Sequence, residues 1–213
     1  MNHTHIALIP KVSSPSSPQQ FRPISLCNVL YKIIAKVLAN RLKWVLEEVI
    51  DKAQSAFVPG RQIFDNALVA FETVHSMKEK HTGKVGCMAL KLDMSKAYDR
   101  VEWRYLEGMM RTMSFPEKFI LLIMKCVSSV AYSIMINGKK CGHIKPSKGI
   151  SQGDPLSPYL FLLCAKGLST LLKKALKDKE IQGVAAARNG PKITHLFFAD
   201  DSLLFCRAQK KDC

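Results

Sequence analysis

The sequence predicts an α+β domain in which helices pack on one face of an antiparallel sheet. Segments with helical and strand-like patterns are interleaved without a regular strand–helix alternation. Several pairs of strand-like segments are joined by short turns, which indicates antiparallel pairing. The chain of 213 residues is 47% hydrophobic, which is enough for a core in one large domain or two small ones.

Net charge is the strongest feature of the composition. Lys and Arg outnumber Asp and Glu by 32 to 17, giving a formal charge of +15. This excess favours a polyanionic partner, either nucleic acid or an anionic membrane surface. No apolar run approaches the ~20 residues that cross a bilayer, and the start lacks a signal peptide, so the sequence favours nucleic acid without a membrane. The seven cysteines show no zinc-site spacing and are expected to be reduced core thiols of an intracellular protein.

The first half of the chain predicts one strand and two helices. Residues 6–9 form a short strand ended by Pro10, and a loop rich in Ser and Pro follows at 12–20. A long helix at residues 26–49, with Ser25 as its N-cap, is indicated by apolar residues at spacings of three and four. Its basic face could meet phosphates or be solvated. After the turn at Pro59-Gly60, a second helix is expected at residues 64–80.

The second half predicts strands joined by turns and three further helices. A strand at residues 84–94 delivers Asp93 at its end, and helices follow at 101–113 and 116–128. Asn137-Gly138 predicts a hairpin between residues 132–136 and 141–144. A helix at 155–177 precedes a last hairpin with Asp200 and Asp201 at its tip.

Two adjacent carboxylates stand between the apolar runs of this last hairpin. Carboxylates held close repel each other unless a proton or cation lies between them. Magnesium prefers oxygen ligands and is often held by one or two carboxylates together with substrate phosphates. Asp200 and Asp201 therefore suggest a phosphate-handling metal site, with an ordinary Asp-Asp turn as the alternative. A glycine-bearing loop around Gln152 and Gly153 could let a base or phosphate approach the backbone, or be a plain turn before a helix.

Six motifs in a fixed order carry a resemblance that spans residues 4–207. The chain resembles the reverse transcriptase domain of non-LTR retrotransposons of the long interspersed type, and its motif sequences resemble those of the plant elements most. The motifs are Leu8-Ile9-Pro10-Lys11, Phe21-Arg22-Pro23-Ile24-Ser25-Leu26, Gln54-Ser55-Ala56-Phe57, Lys91-Leu92-Asp93 with Ala97-Tyr98-Asp99, Gln152-Gly153-Asp154-Pro155-Leu156-Ser157-Pro158, and Phe198-Ala199-Asp200-Asp201.

The resemblance implies an RNA-directed DNA polymerase of the right-hand type with palm and fingers, and the thumb is expected to be missing. Residues 1–85 would form the fingers and N-terminal helices, and residues 86–213 mainly the palm, with a hairpin at 131–146. Asp93, Asp200 and Asp201 match the catalytic acids that bind two Mg²⁺ ions (Mn²⁺ is an alternative) roughly 3.5–4 Å apart. The implied partners are an RNA template, a DNA primer and a dNTP, in a nuclear or cytoplasmic location.

The resemblance also implies the nucleotide contacts. Lys11 and Arg22 match fingers residues that contact the triphosphate. Tyr98 matches the aromatic that lies under the incoming sugar and rejects a 2′-hydroxyl, although a core tyrosine is the alternative. Gln152 and Gly153 match the loop that contacts the template and the base of the nucleotide.

The chain departs from the family pattern in two respects. Ser151 stands where related sequences commonly carry Arg, which removes a cation near the template or nucleotide and predicts weakened activity. The lysine-bearing motif beyond the last hairpin, the thumb and the upstream endonuclease are absent from the sequence. A catalytically dead remnant that binds nucleic acid through its charge is therefore the alternative function. An intron maturase or telomerase-like polymerase matches the motifs less well.

Overall fold

A computed structural model describes residues 2–79, 86–187 and 190–208, and in these residues five α-helices and nine strands alternate irregularly. This irregular mixture of helices and strands confirms the α+β class. The helices are α1 (Val29–Val49), α2 (Ile63–Glu79), α3 (Trp103–Thr112), α4 (Glu117–Ser128) and α5 (Ser157–Lys177). The strands are β1 (His3–Pro10), β2 (Phe21–Leu26), β3 (Cys87–Asp93), β4 (Ala131–Ile136), β5 (Lys139–Ile144), β6 (Val184–Ala185), β7 (Lys192–Ile193), β8 (His195–Phe198) and β9 (Asp201–Arg207).

The chain divides into two compact units, and each unit is built from two separate segments. The first unit comprises Met1–Trp44 and Lys96–Cys164, and the second comprises Val45–Ser95 and Ala165–Cys213. The division into fingers (residues 1–85) and palm (residues 86–213) concerns functional subdomains, and it stays a prediction.

The first unit contains a four-stranded mixed sheet in the order β2-β1-β4-β5. β1 pairs with β2 and β4 with β5 in antiparallel fashion, while β1 and β4 run parallel. The predicted hairpin between β4 and β5 is confirmed. Asn137 and Gly138 have φ angles of 49° and 75°, the left-handed conformation that two-residue hairpin turns require.

The predicted start of the first helix is wrong. The motif that contains Ser25 forms strand β2 instead, and Ser25 pairs with Ile6 of β1. The helix begins at Val29, where the side-chain oxygen of Asn28 accepts a hydrogen bond from the Leu30 N–H at 2.9 Å. Asn28 therefore takes the capping role that the sequence suggested for Ser25, because pairing with β1 keeps the preceding residues extended.

The apolar stripe of α1 is only partly buried. Its buried positions are mostly small or in the second half of the helix, namely Ala35, Leu38, Ala39, Leu42 and Leu46. The large apolar side chains of the first half are about half exposed or more: Val29, Leu30, Ile33, Ile34 and Val37. The periodicity predicted the helix, but it did not predict which part of the stripe is covered.

The second unit contains a three-stranded antiparallel sheet in the order β3-β9-β8. Leu196 of β8 and Phe205 of β9 form a buried cluster with Ala70 of α2. The neighbouring residue, His195, bonds to Ser169 of α5 at 2.8 Å. Because successive residues of a strand point to opposite faces, the sheet carries a helix on each face.

A short ladder between β6 and β7, which the sequence pattern did not predict, completes this unit. The predicted ends at Lys80 and Lys84 lie outside the described residues. Among the helices that the structure describes, none combines the length and hydropathy needed to span a bilayer.

Candidate active site

Two of the three candidate catalytic acids lie side by side at one end of the second unit's sheet. Asp93 is the last residue of β3 and pairs directly with Asp201, the first residue of β9. Directly opposed residues of antiparallel strands have Cβ atoms about 4.5–5.5 Å apart, on the same face. The pairing thus brings together two carboxylates that are 108 positions apart in the sequence (201 − 93).

Asp200 lies in the two-residue turn that joins β8 to β9. The turn residues are Ala199 and Asp200, because Phe198 and Asp201 already form the last pair of the ladder. The carbonyl oxygen of Asp200 accepts a hydrogen bond from the Met94 N–H at 3.4 Å, which links the turn to the end of β3. All three predicted acids therefore lie at the same end of this sheet.

The donor set at this end of the sheet suits hard divalent cations. Carboxylate oxygens are the ligands that Mg²⁺ prefers in proteins, and two opposed carboxylates repel each other without a cation. The Lys91 ammonium lies 3.1 Å from the Asp201 carboxylate and offsets part of this repulsion. Within the described ranges, no three His, Cys, Asp or Glu side chains converge closely enough to hold a metal ion. The three acids have the ligand chemistry that the predicted metals prefer and lie at one end of the sheet, but their side chains do not converge in the described structure, so the metal site stays a prediction.

The turn contains a strained residue that is held by a distant side chain. Ala199 has a φ of 57°, a left-handed conformation that costs a residue with a Cβ about 1–2 kcal/mol. Its N–H donates to the Gln54 side-chain oxygen at 3.1 Å. Gln54 itself is only 2% exposed and forms a parallel bridge with Phe197 of β8.

Two buried ionisable groups, His195 of β8 and Asp51, contact side chains of α5. Burial lowers the pKa of His195 to about 4, so the imidazole is neutral at physiological pH. Burial alone would raise the pKa of Asp51, but hydrogen bonds from Lys173 and the Ala53 N–H, together with the charge of Lys166, hold this pKa below its ordinary value. His195 links β8 to α5 through Ser169, and it precedes Asp200 by five residues in the sequence (200 − 195).

The candidate nucleotide-binding residues belong to the first unit. Lys11 follows β1 directly, and its N–H donates to the Gln20 carbonyl at 2.7 Å. Arg22 pairs with Ile9 in the β1–β2 ladder. Both side chains are exposed. The Lys11 ammonium donates to the Gln19 carbonyl at 3.1 Å. The hairpin therefore places two cations at the same end, which is a suitable arrangement for binding phosphates.

The loop that contains Gln152 and Gly153 is fixed by its backbone. The Gln152 carbonyl accepts a hydrogen bond from the Ser25 N–H at 2.7 Å. Gly153 has a φ of +98°, and a Cβ at this position would lie 3.3 Å from the Ser25 carbonyl oxygen. Glycine is required here both by the conformation and by the close approach to β2. The Gln152 side chain is left exposed.

The same loop is also tied to Tyr98. The Ile150 N–H donates to the Tyr98 carbonyl at 3.0 Å. The half-buried Tyr98 ring lies 5.4 Å from the Phe161 ring, measured between centroids. Within this unit the structure brings Tyr98 and the Gln152 loop together, as expected if both contact one nucleotide.

Ser151 is part of a polar network beneath the loop. Its hydroxyl lies 2.6 Å from the Tyr132 hydroxyl. The buried Asp154 carboxylate accepts hydrogen bonds from the Tyr31 hydroxyl at 2.5 Å and from the Leu156 N–H at 2.9 Å. Burial raises the pKa of Asp154, and these two bonds offset only part of the effect. The pKa of Tyr31 is raised by burial and by the charge of Asp154.

Sequence reasoning missed the residues that support the site. Gln54 lies in one of the six motifs but had no predicted role, and Tyr31 and Tyr132 showed no local pattern, because their partners are distant in the sequence. Separations of 145 residues for Gln54–Ala199 and 123 for Tyr31–Asp154 leave no local pattern to read.

Known proteins resemble this chain over nearly all of its length. The family model described as reverse transcriptase (RNA-dependent DNA polymerase) matches residues 9–213. The uncharacterized 149 kDa protein of transposon TX1 from Xenopus laevis is 34% identical over 199 residues, which cover 93% of this chain and 15% of that protein. The retrovirus-related Pol polyprotein from type-2 retrotransposable element R2DM of Drosophila melanogaster is 31% identical over 202 residues, which cover 94% of this chain and 18% of the polyprotein.

The solved structures agree on the fold. Apo telomerase from Candida tropicalis, truncated from its C-terminal domain, superposes with a TM-score of 0.65 at 15% identity and covers 99% of this chain and 44% of that one. The chain spans less than a fifth of the length of the two retrotransposon relatives. With its carboxylate pair and ordered motifs, the chain belongs to the reverse transcriptase family as a reverse transcriptase domain of the non-LTR retrotransposon type.

Proposed function

We propose that this domain catalyses RNA-directed DNA synthesis, adding deoxynucleotides to a primer 3′-hydroxyl on an RNA template. The observation that carries the proposal is the pairing of Asp93 with Asp201 next to the Asp200 turn. An enzyme that transfers a nucleotidyl group needs carboxylates at a common point, because the reaction develops negative charge on phosphate oxygens.

The three acids are proposed to hold the divalent cations. Asp93 and Asp200 would be the main ligands, and Asp201 would assist after release from Lys91. When bound, two Mg²⁺ or Mn²⁺ ions lower the pKa of the primer hydroxyl and neutralise the leaving pyrophosphate. The sheet would hold the three acids in position, because each acid lies at a strand end or in a tight turn that the strand pairing fixes.

Lys11 and Arg22 are proposed to bind the triphosphate. Two cations at one end of a hairpin can pair with adjacent phosphates, and the Arg guanidinium can do so in a bidentate manner. Neither side chain is engaged in an ion pair in the part of the chain that the structure describes. Arg22 is therefore available to a ligand, and Lys11 would bind phosphate in addition to, or in place of, the Gln19 carbonyl.

Tyr98, Gln152 and Gly153 are proposed to select the nucleotide. The Tyr98 ring would lie against the sugar and exclude a 2′-hydroxyl by steric conflict. The exposed Gln152 side chain would contact the template or the base, while Gly153 lets the loop lie close to β2. The +15 charge supplies general attraction for the RNA and the primer.

Primer extension tests this function directly. The chain is incubated with an RNA template, an annealed DNA primer, dNTPs and Mg²⁺ at low ionic strength, about 50 mM, where phosphate contacts are strongest. We expect extension by the wild type and none by the Asp200→Ala and Asp93→Ala variants. Equal binding of RNA by wild type and variants, with no extension by either, would instead establish a nucleic-acid-binding remnant.

A further inference from the structure

Gln54 connects the segment before α2 to the turn that carries Asp200. Its side-chain oxygen accepts two hydrogen bonds, from the Ala56 N–H at 3.0 Å and from the Ala199 N–H at 3.1 Å. The first bond is local, and the second reaches the residue next to Asp200. A single buried oxygen thus fixes the path of its own segment and the path of the turn.

The orientation of the Gln54 amide follows from its partners. Both neighbours are N–H donors, so an oxygen must face them, and a flipped amide would set donor against donor. The side-chain nitrogen is buried and has no hydrogen-bond partner among the described residues. A buried unpaired donor is unfavourable. A glutamine that only filled space here would be more stable as an apolar residue, so the two accepted bonds are the feature to explain.

The backbone around Gln54 is anchored on both sides. Phe197 of β8 donates its N–H to the Ala53 carbonyl at 2.7 Å, and the Ser55 N–H donates to the Phe197 carbonyl at 3.3 Å. The Arg61 guanidinium donates to the Gln54 carbonyl at 2.8 Å and to the Ile50 carbonyl, at the end of α1, at 2.8 Å. The amide oxygen is therefore a fixed point and not a mobile side chain.

We propose that Gln54 is a positioning residue for Asp200, acting through the Ala199 N–H. The inference rests on the proposed function and deepens it, since Asp200 is one of the acids that would hold the cations. Ala199 adopts a left-handed conformation, and a turn of this kind relaxes when its N–H loses a partner. Relaxation of Ala199 rotates the following residue, which carries the carboxylate.

Amide hydrogen exchange tests the structural step without any need for activity. In the Gln54→Met variant, which keeps the side-chain length and removes the acceptor, exchange at Ala199 should be about three- to tenfold faster. Ser55→Ala is the matched control, because the neighbouring Ser55 hydroxyl is also buried but has no hydrogen-bond partner in the described part of the chain. Unchanged exchange at Ala199 in the Gln54→Met variant would overturn the proposal.

Kinetics test the functional step. We expect Gln54→Met to lower kcat by roughly ten- to a hundredfold, to raise the Mg²⁺ concentration for half-maximal rate, and to leave the KM for dNTP within about twofold. The Gln54→Glu variant retains an acceptor oxygen and should recover part of the loss. A loss in kcat that Ser55→Ala reproduces would mean that the segment is only structural, and the positioning role would be rejected.

The two proposals fail in different ways. If the wild type does not extend a primer beyond the Asp200→Ala background, the proposed polymerase function fails, and the exchange rate at Ala199 still decides whether Gln54 holds the turn. If the wild type extends the primer and Gln54→Met does so equally well, only the positioning role fails.

Discussion

Individual residues of this domain show how one substitution changes the local network. Ser151 stands where the family resemblance leads us to expect an Arg, and its hydroxyl lies 2.6 Å from the Tyr132 hydroxyl. An Arg at this position cannot make the same short contact inside the network. The Ser therefore forms a hydrogen bond to Tyr132 where an Arg would place a cation near the candidate nucleotide-binding loop.

Restoring the cation at position 151 should strengthen nucleotide binding. For Ser151→Arg we expect the Kd for dNTP to fall several-fold, while stability falls by about 1 kcal/mol because the bond to Tyr132 is lost. Nucleotide titration and urea denaturation measure the two effects. Tyr132→Phe is the control, since it removes the same bond without adding charge. An unchanged Kd would show that position 151 does not meet the nucleotide.

The secondary-structure elements separate what local sequence can predict from what it cannot. Asn137-Gly138 predicted the β4–β5 hairpin correctly, because the turn depends on two adjacent residues. Ser25 was wrongly assigned to a helix cap, because pairing of β2 with β1 overrode a good local signal. The acid pair of Asp93 and Asp201 was expected from motif order, but its register on β3 and β9 could be seen only in the structure.

Strand β8 should make the domain sensitive to mild acid. His195 has a folded pKa of about 4, below its ordinary 6.5, so its contribution to stability is present above pH 6.5 and is lost as the pH falls towards 4. The upper limit of this loss is about 3 kcal/mol. The charged groups around the imidazole are Asp51, Lys166 and Lys173. Asp51 has a lowered pKa, so its contribution to the stability of the fold would be lost only below pH 3.8, its ordinary pKa.

Urea denaturation between pH 7 and 4.5 measures this acid sensitivity. The His195→Gln variant keeps a polar partner for Ser169 and lacks the titrating ring, so its unfolding free energy should vary less over this interval. An equally steep decline in wild type and variant would place the sensitivity elsewhere.

At the scale of the whole molecule, net charge is the feature that should govern the proposed binding of nucleic acid. The formal charge of +15 predicts that RNA binding depends steeply on salt, because bound cations of the RNA are released when Lys and Arg replace them. Contact with about six phosphates of a single strand would give a slope of about −4 in a plot of log K against log salt concentration. Fluorescence anisotropy with labelled RNA measures this slope.

The Asp200→Ala variant should share this slope, since a carboxylate makes no favourable contact with phosphate. A slope near zero in the wild type would exclude electrostatic binding as the main source of affinity. The amino-acid composition alone predicts the salt dependence of RNA binding. The position of Lys11 and Arg22 at one end of a hairpin could be seen only from the β1–β2 register.

The interleaved segments of the two units constrain the order of folding during synthesis. The first unit needs residues up to Cys164, yet the first segment of the second unit, Val45–Ser95, leaves the ribosome before then. That segment must wait, with β3 unpaired, until β9 has been translated more than a hundred residues later. Until β9 is made, the unpaired edge of β3 can pair with other chains, so nascent chains are open to aggregation. Slower translation between residues 95 and 201 should therefore lower the yield of folded protein.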